Sequence, residues 1–281
     1  MSAQGAGSLT AAPASQMQTA GQTTSAQGAA SLTAGAQGSQ APRLDAQVQK
    51  GRRVLISVNG LYKIYKIGSN KVYALNGVSF EIYEGEFVAI VGTSGSGKST
   101  LLNMLAGLEP PTKGSIRIAG KQIDKMDEHA LVAFRRNNVG FIFQSYNLLP
   151  TMNGEENVAM PLMFRGVPKE ERLKAARKYM KLMGVLDQAK HMPNQMSGGQ
   201  QQRIGIARAM VVDPRIIFAD EPTGNLDSHT TEDVLHLMQR LVREEGRTLV
   251  MVTHDNHLAS YADRRIRIVD GKIVSIDVGA R

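Results

Sequence analysis

Cysteine is absent from the 281 residues, which excludes disulfides and thiolate metal centres as supports of the fold. That absence suits a reducing compartment. Long apolar runs are missing too: no uninterrupted stretch approaches the ~18 residues that cross a bilayer. Work at a membrane would therefore need some other anchor. Charge is absent from one whole region, since residues 1–42 hold no Asp, Glu, Lys or Arg. No single basic run dominates the remainder, although the formal net charge is +8 and the pI about 9.7. Arg264-Arg265-Ile266-Arg267 is a cluster, but a short one. Such a balance suits nucleic acid, anionic lipid or polyphosphate, and equally a solvated basic surface.

The rest of the composition is that of a globular protein. Hydrophobic residues make up 42% and charged residues 21%, with a mean hydropathy of −0.21. The length suffices for a substantial core in one large domain or two small ones. The uncharged first segment differs: Ala, Gln, Gly, Ser and Thr prevail, and Ser2–Ala11 is echoed by Ser25–Ala34. It has too little apolar surface to offset its ordering entropy, so residues 1–50 read as a disordered low-complexity tail, a tether or a docking peptide. It lacks the basic start and apolar core of a secretory signal, and one repeated pair does not make a solenoid.

The densest chemistry lies at Phe87–Thr100. An apolar run, Phe87 to Val91, reads as a buried strand and breaks into Gly92-Thr93-Ser94-Gly95-Ser96-Gly97-Lys98-Ser99-Thr100, after which Leu101 to Leu105 has helical spacing. Strand, glycine loop and helix start form the context of a phosphate-binding loop. Backbone N–H groups turn inward around a polyphosphate, and the helix points its positive end at the same place. Lys98 is placed to reach β- and γ-phosphates, and the Ser99 hydroxyl to ligate Mg²⁺. This reading requires a nucleoside triphosphate.

Other segments deliver polar groups to strand ends. Val54–Val58 and Val72–Ile82 are strand-like, with Tyr62, Tyr65 and Tyr73 among or between them. An aromatic ahead of a phosphate loop can stack on a purine, though each of these also suits packing on a sheet. Val139–Phe143 reads as a buried strand ending at Gln144. Arg215–Ala219 is apolar and ends in Asp220-Glu221. There one carboxylate can hold Mg²⁺ and the next can polarise an attacking water. Thr248–Thr253 ends at His254, and in open α/β sheets ligands bind beyond such carboxyl ends. Between these strands lies a Met-rich helical block. In it Leu173, Ala176, Tyr179, Met180 and Met183 form one apolar stripe and Pro150, Pro161, Pro168 and Pro193 punctuate the chain. Ser197-Gly198-Gly199-Gln200 opens a further helix with capping-box spacing. Two glycines in a first turn weaken a helix, so they point to a backbone-hugging ligand such as phosphate.

Taken in order, these residues resemble the nucleotide-binding domain of ABC transporters. The matching motifs are Gly92–Thr100 (Walker A), Gln144 (Q-loop), Met196–Gln200 (signature), Ile216–Glu221 (Walker B), Asn225-Leu226-Asp227 (D-loop) and His254 (H-loop). Phe141–Pro150 and Ala219–Asp227 look most like the branch containing macrolide-export, lipoprotein-release and cell-division ATPases. Met196 stands where Leu is usual, a swap that conserves volume.

The resemblance implies an α/β fold of the ABC type. Its expected parts are a mixed-sheet core, an antiparallel β subdomain and an inserted helical subdomain, within an ATPase domain spanning 51–281 and a helical part at about 145–210. It implies ATP and Mg²⁺ as ligands, with Ser99, Gln144 and Asp220 at the metal, Glu221 as base, His254 at the γ-phosphate and Tyr65 under the adenine, Tyr62 being the second choice. It also implies a head-to-tail dimer in which Ser197, Gly198, Gly199, Gln200 and Asp227 complete the partner's site. Separate membrane permease subunits at the inner face of the cell membrane, and no direct nucleic-acid contact, complete the expectation. A soluble ABC ATPase acting on ribosomes or nucleic acid is the alternative. Translation-factor relatives usually hold two such domains per chain and repair relatives a coiled-coil insertion, and neither pattern is seen here.

Overall fold

Successive side chains of a strand point to opposite faces of its sheet, and this chain buries both. The computed structural model describes residues 51–279, so the tail expected at 1–50 lies outside the described residues. In β3 (Phe87–Val91), Phe87, Ala89 and Val91 enter one core cluster while Val88 and Ile90 enter the other. The same division holds in β7 (Ile216–Asp220) and β8 (Thr248–Thr253): Ile217, Ala219, Leu249 and Met251 face one way, and Ile216, Phe218, Val250 and Val252 the other. Strands buried on both faces read as continuous apolar runs. That is why these three are plain in the sequence.

The six-stranded sheet has the order β10-β9-β3-β8-β7-β6, with β6 at Val139–Ile142, β9 at Arg264–Val269 and β10 at Lys272–Val278. All neighbours in it are parallel except β10, which closes the edge antiparallel to β9. Parallel neighbours bring their carboxyl ends to one edge. There Val91 is level with Thr253, and Asp220 with Val252.

A second, antiparallel sheet of order β2-β1-β4-β5 covers one face, with β1 at Val54–Ile67, β2 at Asn70–Tyr83, β4 at Lys113–Ile118 and β5 at Lys121–Gln122. Helix α1 (Lys98–Leu105) lies in the core between the two sheets, contributing Leu101, Leu102, Met104 and Leu105. A further helix, α2 (Glu128–Asn138), precedes β6.

The opposite face carries α3 (Gly154–Met163), α4 (Lys169–Leu182), α5 (Gly198–Met210) and α6 (Ser228–Arg243). Asn153 opens α3 through a full capping box with Glu156. The fully buried Asn157 gives its amide to the carbonyls of Leu149, Met152 and Asn153 and accepts from Leu149 N–H, tying the segment after β6 onto α3. Glu155 is buried as well. Its carboxylate takes Arg177 Nε of α4 at 2.6 Å and Lys190 of the following segment, bonds that outweigh its burial and hold its pKa below the usual carboxylate value. No helix among the described residues is long and apolar enough to cross a membrane.

Candidate functional site

The carboxyl edge of the parallel sheet gathers the polar groups. Leaving β3, the chain turns through residues 92–97 into α1, with Gly97 at φ 100° as its N-cap. A side chain at Gly97 would meet the Ala74 carbonyl at 2.2 Å, so both the turn and the close approach demand glycine. Lys98 is buried and curls back so that its Nζ donates to the Thr93 carbonyl at 2.8 Å. Among the described residues no carboxylate lies within ion-pair distance of it. Ser96 Oγ is buried there without a hydrogen-bond partner. A buried cation and a free hydroxyl beside orphan helix N–H groups fit a polyphosphate. The hairpin between β9 and β10 braces the loop from behind, Gly271 N–H donating to the Ser96 carbonyl at 3.1 Å.

Asp220 closes β7 beside this loop. Its half-burial and the adjacent Glu221 raise its pKa, while the Lys98 ammonium and the Ser99 hydroxyl pull it back. A carboxylate and a hydroxyl of this kind are hard oxygen donors suited to Mg²⁺. Glu221 follows with φ 43°, a left-handed backbone rare outside glycine. The turn is held by Glu221 N–H on the Val252 carbonyl at 3.0 Å and Gly224 N–H on the Glu221 carbonyl at 3.1 Å. That turn takes Glu221 out of the strand's alternation. Its Oε1 lies 3.1 Å from Nδ1 of His254, at the end of β8.

Tyr65 lies on β1. Its phenol donates to Glu109 at 2.8 Å, and the Thr100 hydroxyl in the first turn of α1 draws its pKa back down. Burial and Glu109 together raise the phenol's pKa. The ring itself is exposed, and Tyr62 instead places its hydroxyl over Gly77 in the neighbouring strand.

A second cluster forms away from the loop. Ser197 caps α5 and accepts from Gln200 N–H at 3.3 Å, while Gln200 Oε1 returns to Ser197 N–H at 2.8 Å. The sequence pointed to a ligand as the reason for Gly198 and Gly199. The fold supplies a reason within the chain: a Cβ would stand 2.8 Å from the Tyr146 hydroxyl at Gly198, and 2.5 Å from Thr230 Cγ2 at Gly199. Tyr146 Oη also donates to the Asn225 carbonyl at 3.3 Å, and Asn225 Nδ2 donates to the Gln144 carbonyl at 3.0 Å. Asp227 caps α6 through Thr230, whose N–H and hydroxyl hold its carboxyl below the usual range. Arg208 of α5, buried with its pKa brought down to about 10 by that burial, donates to the carbonyls of Tyr146 and Asn147.

Two groups therefore emerge. Lys98, Ser99, Asp220, Glu221, His254 and Tyr65 gather about one loop; Ser197–Gln200 pack against Tyr146 and Thr230, and Gln144 joins this second group through Asn225 and Gly224. Glu109, Tyr146 and Arg208 were not singled out from sequence, and only their long-range partners mark them.

The family model for ABC transporters matches residues 75–224. An uncharacterized ABC transporter ATP-binding protein of Thermotoga maritima is 50% identical over 217 residues, which cover 77% of this chain and 92% of that protein. The lipoprotein-releasing system ATP-binding protein LolD of Geobacter metallireducens is 43% identical over 79% of this chain and 98% of its own length. The macrolide export ATP-binding/permease protein MacB of Aggregatibacter actinomycetemcomitans is 46% identical over 79% of this chain, but the match spans only 34% of MacB. Among solved structures, an ATP-binding cassette dimer in a post-hydrolysis state, bound to ADP and phosphate, superposes with a TM-score of 0.75. It is 42% identical and covers 81% of this chain and all of the other.

Proposed function

We infer the working of this chain from one premise: it belongs to the ABC transporter family, as an ATP-binding, ATP-hydrolysing component. In our reading two copies close head to tail over two ATP, and each site draws residues from both. The observation that carries this is the separation of the two groups. Among the described residues no hydrogen bond joins Ser197–Gln200 to the loop at 92–99, Ser197 is exposed at the start of α5, and the 42% identical cassette is itself a dimer bound to ADP and phosphate.

Within one subunit, backbone N–H groups of residues 92–97 and Lys98 take the phosphates, and Ser99, Gln144 and Asp220 would hold Mg²⁺. Bound there, Mg²⁺ supplies charge neutralisation to the transferring phosphoryl group. Glu221 accepts a proton from the attacking water, His254 holds the γ-phosphate side of that water, and Tyr65 carries the adenine. Ser197 to Gln200 and Asp227 serve the partner's γ-phosphate. Specific activity is then expected to rise with protein concentration and to fall to background on chelating Mg²⁺. Turnover per chain that stays constant on dilution below the dimerisation range would sink the two-copy site.

The driven partner is a membrane permease in separate chains, a reading favoured by relatives that the match spans almost end to end. Its seat is the Met-rich cleft of about 260 Å³ between the segment at Thr151-Met152, α3 and the start of α4, lined by Met152, Met160, Met163 and Leu173. Leu149, two residues before this lining, and Phe164, next to Met163, are exposed. Flexible thioethers suit a helix that must be gripped and released. Phe164→Glu should weaken sedimentation of the chain with native membranes at least about tenfold, as losing an anchoring aromatic does. Equal sedimentation of this variant and of Met160→Glu, which lies in the cleft itself, with wild type would remove the cleft from the interface.

A further inference from the structure

Glu109 follows α1 and belongs to none of the motifs, yet it is the most connected charge near Tyr65. Its Oε1 and Oε2 accept the Tyr65 phenol at 2.8 and 3.0 Å. Lys63 Nζ lies 2.9 Å from Glu109 Oε1, donates to the Pro110 carbonyl at 2.8 Å and stands 5.3 Å over the Tyr65 ring. The contact between the Lys63 ammonium and the Tyr65 ring places both side chains on one face of β1. The side chains of Lys63 and Glu109 retain only 13% and 25% of their exposure, whereas Tyr65 is 37% exposed. The pair is thus largely withdrawn from water and the ring is presented to it. Burial pushes the Glu109 carboxyl up, but the bonds from Lys63 and Tyr65 outweigh it and keep the group ionised.

Desolvation offsets much of what a largely buried ion pair gains by attraction, so its net contribution to stability is small. Its effect falls instead on freedom of the ring. One phenol held at its oxygen by Glu109, with a cation over one face, has a single orientation and one face left to stack. We propose that Lys63 and Glu109 are positioning residues that pre-set Tyr65 as the base platform, so that nucleotide affinity depends on this pair although neither touches the nucleotide. The proposal rests on the reading of Tyr65 as that platform. Ordering the ring in advance removes a cost otherwise met at binding.

The test uses the full chain and two probes, Mg-ATP and inorganic triphosphate with Mg²⁺, titrated by calorimetry, together with steady-state kinetics. Tyr65→Ala should weaken ATP by about 10–100-fold, the scale of a lost base stack, and leave triphosphate unmoved. Glu109→Ala should raise the Kd and KM for ATP by about 3–10-fold, leave triphosphate binding unmoved and preserve kcat at saturation. Glu109→Gln, which keeps an acceptor for the phenol, should recover most of that loss. Tyr65→Phe should reproduce it, with no further loss on adding Glu109→Ala. If Tyr65→Ala weakens ATP selectively and Glu109→Ala or Tyr65→Phe does not, the clamp is overturned and the platform stands. If Tyr65→Ala has no selective effect, the platform falls and the clamp with it. Equal weakening of both probes by Glu109→Ala overturns the clamp in favour of a structural role; should that variant not fold, Tyr65→Phe and Glu109→Gln decide alone.

Discussion

Glu221→Gln is expected to bind Mg-ATP with wild-type affinity and to hydrolyse it about 10²–10⁴-fold more slowly, the usual range for loss of a general base. The substitution keeps volume and keeps an oxygen for His254, which lies 3.1 Å from the carboxylate. What it removes is the capacity to accept a proton. The phosphate loop is untouched, because Glu221 stands one residue beyond Asp220 on a separate turn. Binding and chemistry should therefore part company. ATP should then accumulate unhydrolysed between two copies, visible by ultracentrifugation as an ATP-dependent dimer that wild type forms only transiently. Single-turnover assays with excess enzyme isolate the chemical step; a variant with near-full turnover would dismiss Glu221 as the base.

The second large effect comes from mixing two inactive variants. Lys98→Ala removes the cation from the loop, and Ser197→Arg puts bulk and charge on an exposed residue at the opposite group. The latter also forfeits the α5 cap, which costs about 1 kcal/mol and is too little to unfold the chain. Each variant alone should lose about 10²–10³ in kcat, as when one preorganised transition-state contact is removed. In a mixed dimer one site pairs Lys98 of one chain with Ser197 of the other, both intact. Equal mixing should restore about a quarter of wild-type activity, since half the dimers are mixed and each has one of two sites, by the arithmetic of two-fold symmetry. No recovery on mixing would show that both groups serve the same chain.

Much of the candidate site was legible because the chemistry proposed for it dictates local pattern. A loop that wraps phosphate needs glycines, a lysine and a hydroxyl at set spacing, and Gly92–Thr100 supplies them. The doubly buried strands were equally plain. β1 was not: sequence suggested a strand at Val54–Val58, whereas it runs on to Ile67 through register shifts at Val58–Leu61. Gly60, with φ 55°, sits in that irregularity and reads as a break. Interactions spanning the chain were also hidden. Tyr65 and Glu109 are 44 residues apart, Gln144 and Asn225 are 81 apart, and no periodicity links such pairs. The signature glycines show the limit differently. Their cost to a helix was visible, but one reason for them, Tyr146 and Thr230 pressed against the backbone, exists only after folding.

The placement of β3 governs when this protein becomes competent during synthesis. The strand that ends in the phosphate loop lies between β8 and β9, and its flanks are tied to residues far along the chain. Gly85 N–H reaches Thr248 across 163 residues, and Phe87 N–H reaches Asp263 across 176. Gly92 lies so close under the Ile268 carbonyl that a Cβ would stand 2.3 Å from it. Pairing over such separations forms slowly. A ribosome-bound fragment ending before residue 248 has the whole Walker A sequence and neither parallel neighbour of the strand that presents it. Nucleotide binding is then expected only once translation has passed β9, and ribosome-bound fragments ending before residue 248 and beyond residue 269 should differ in ATP retention.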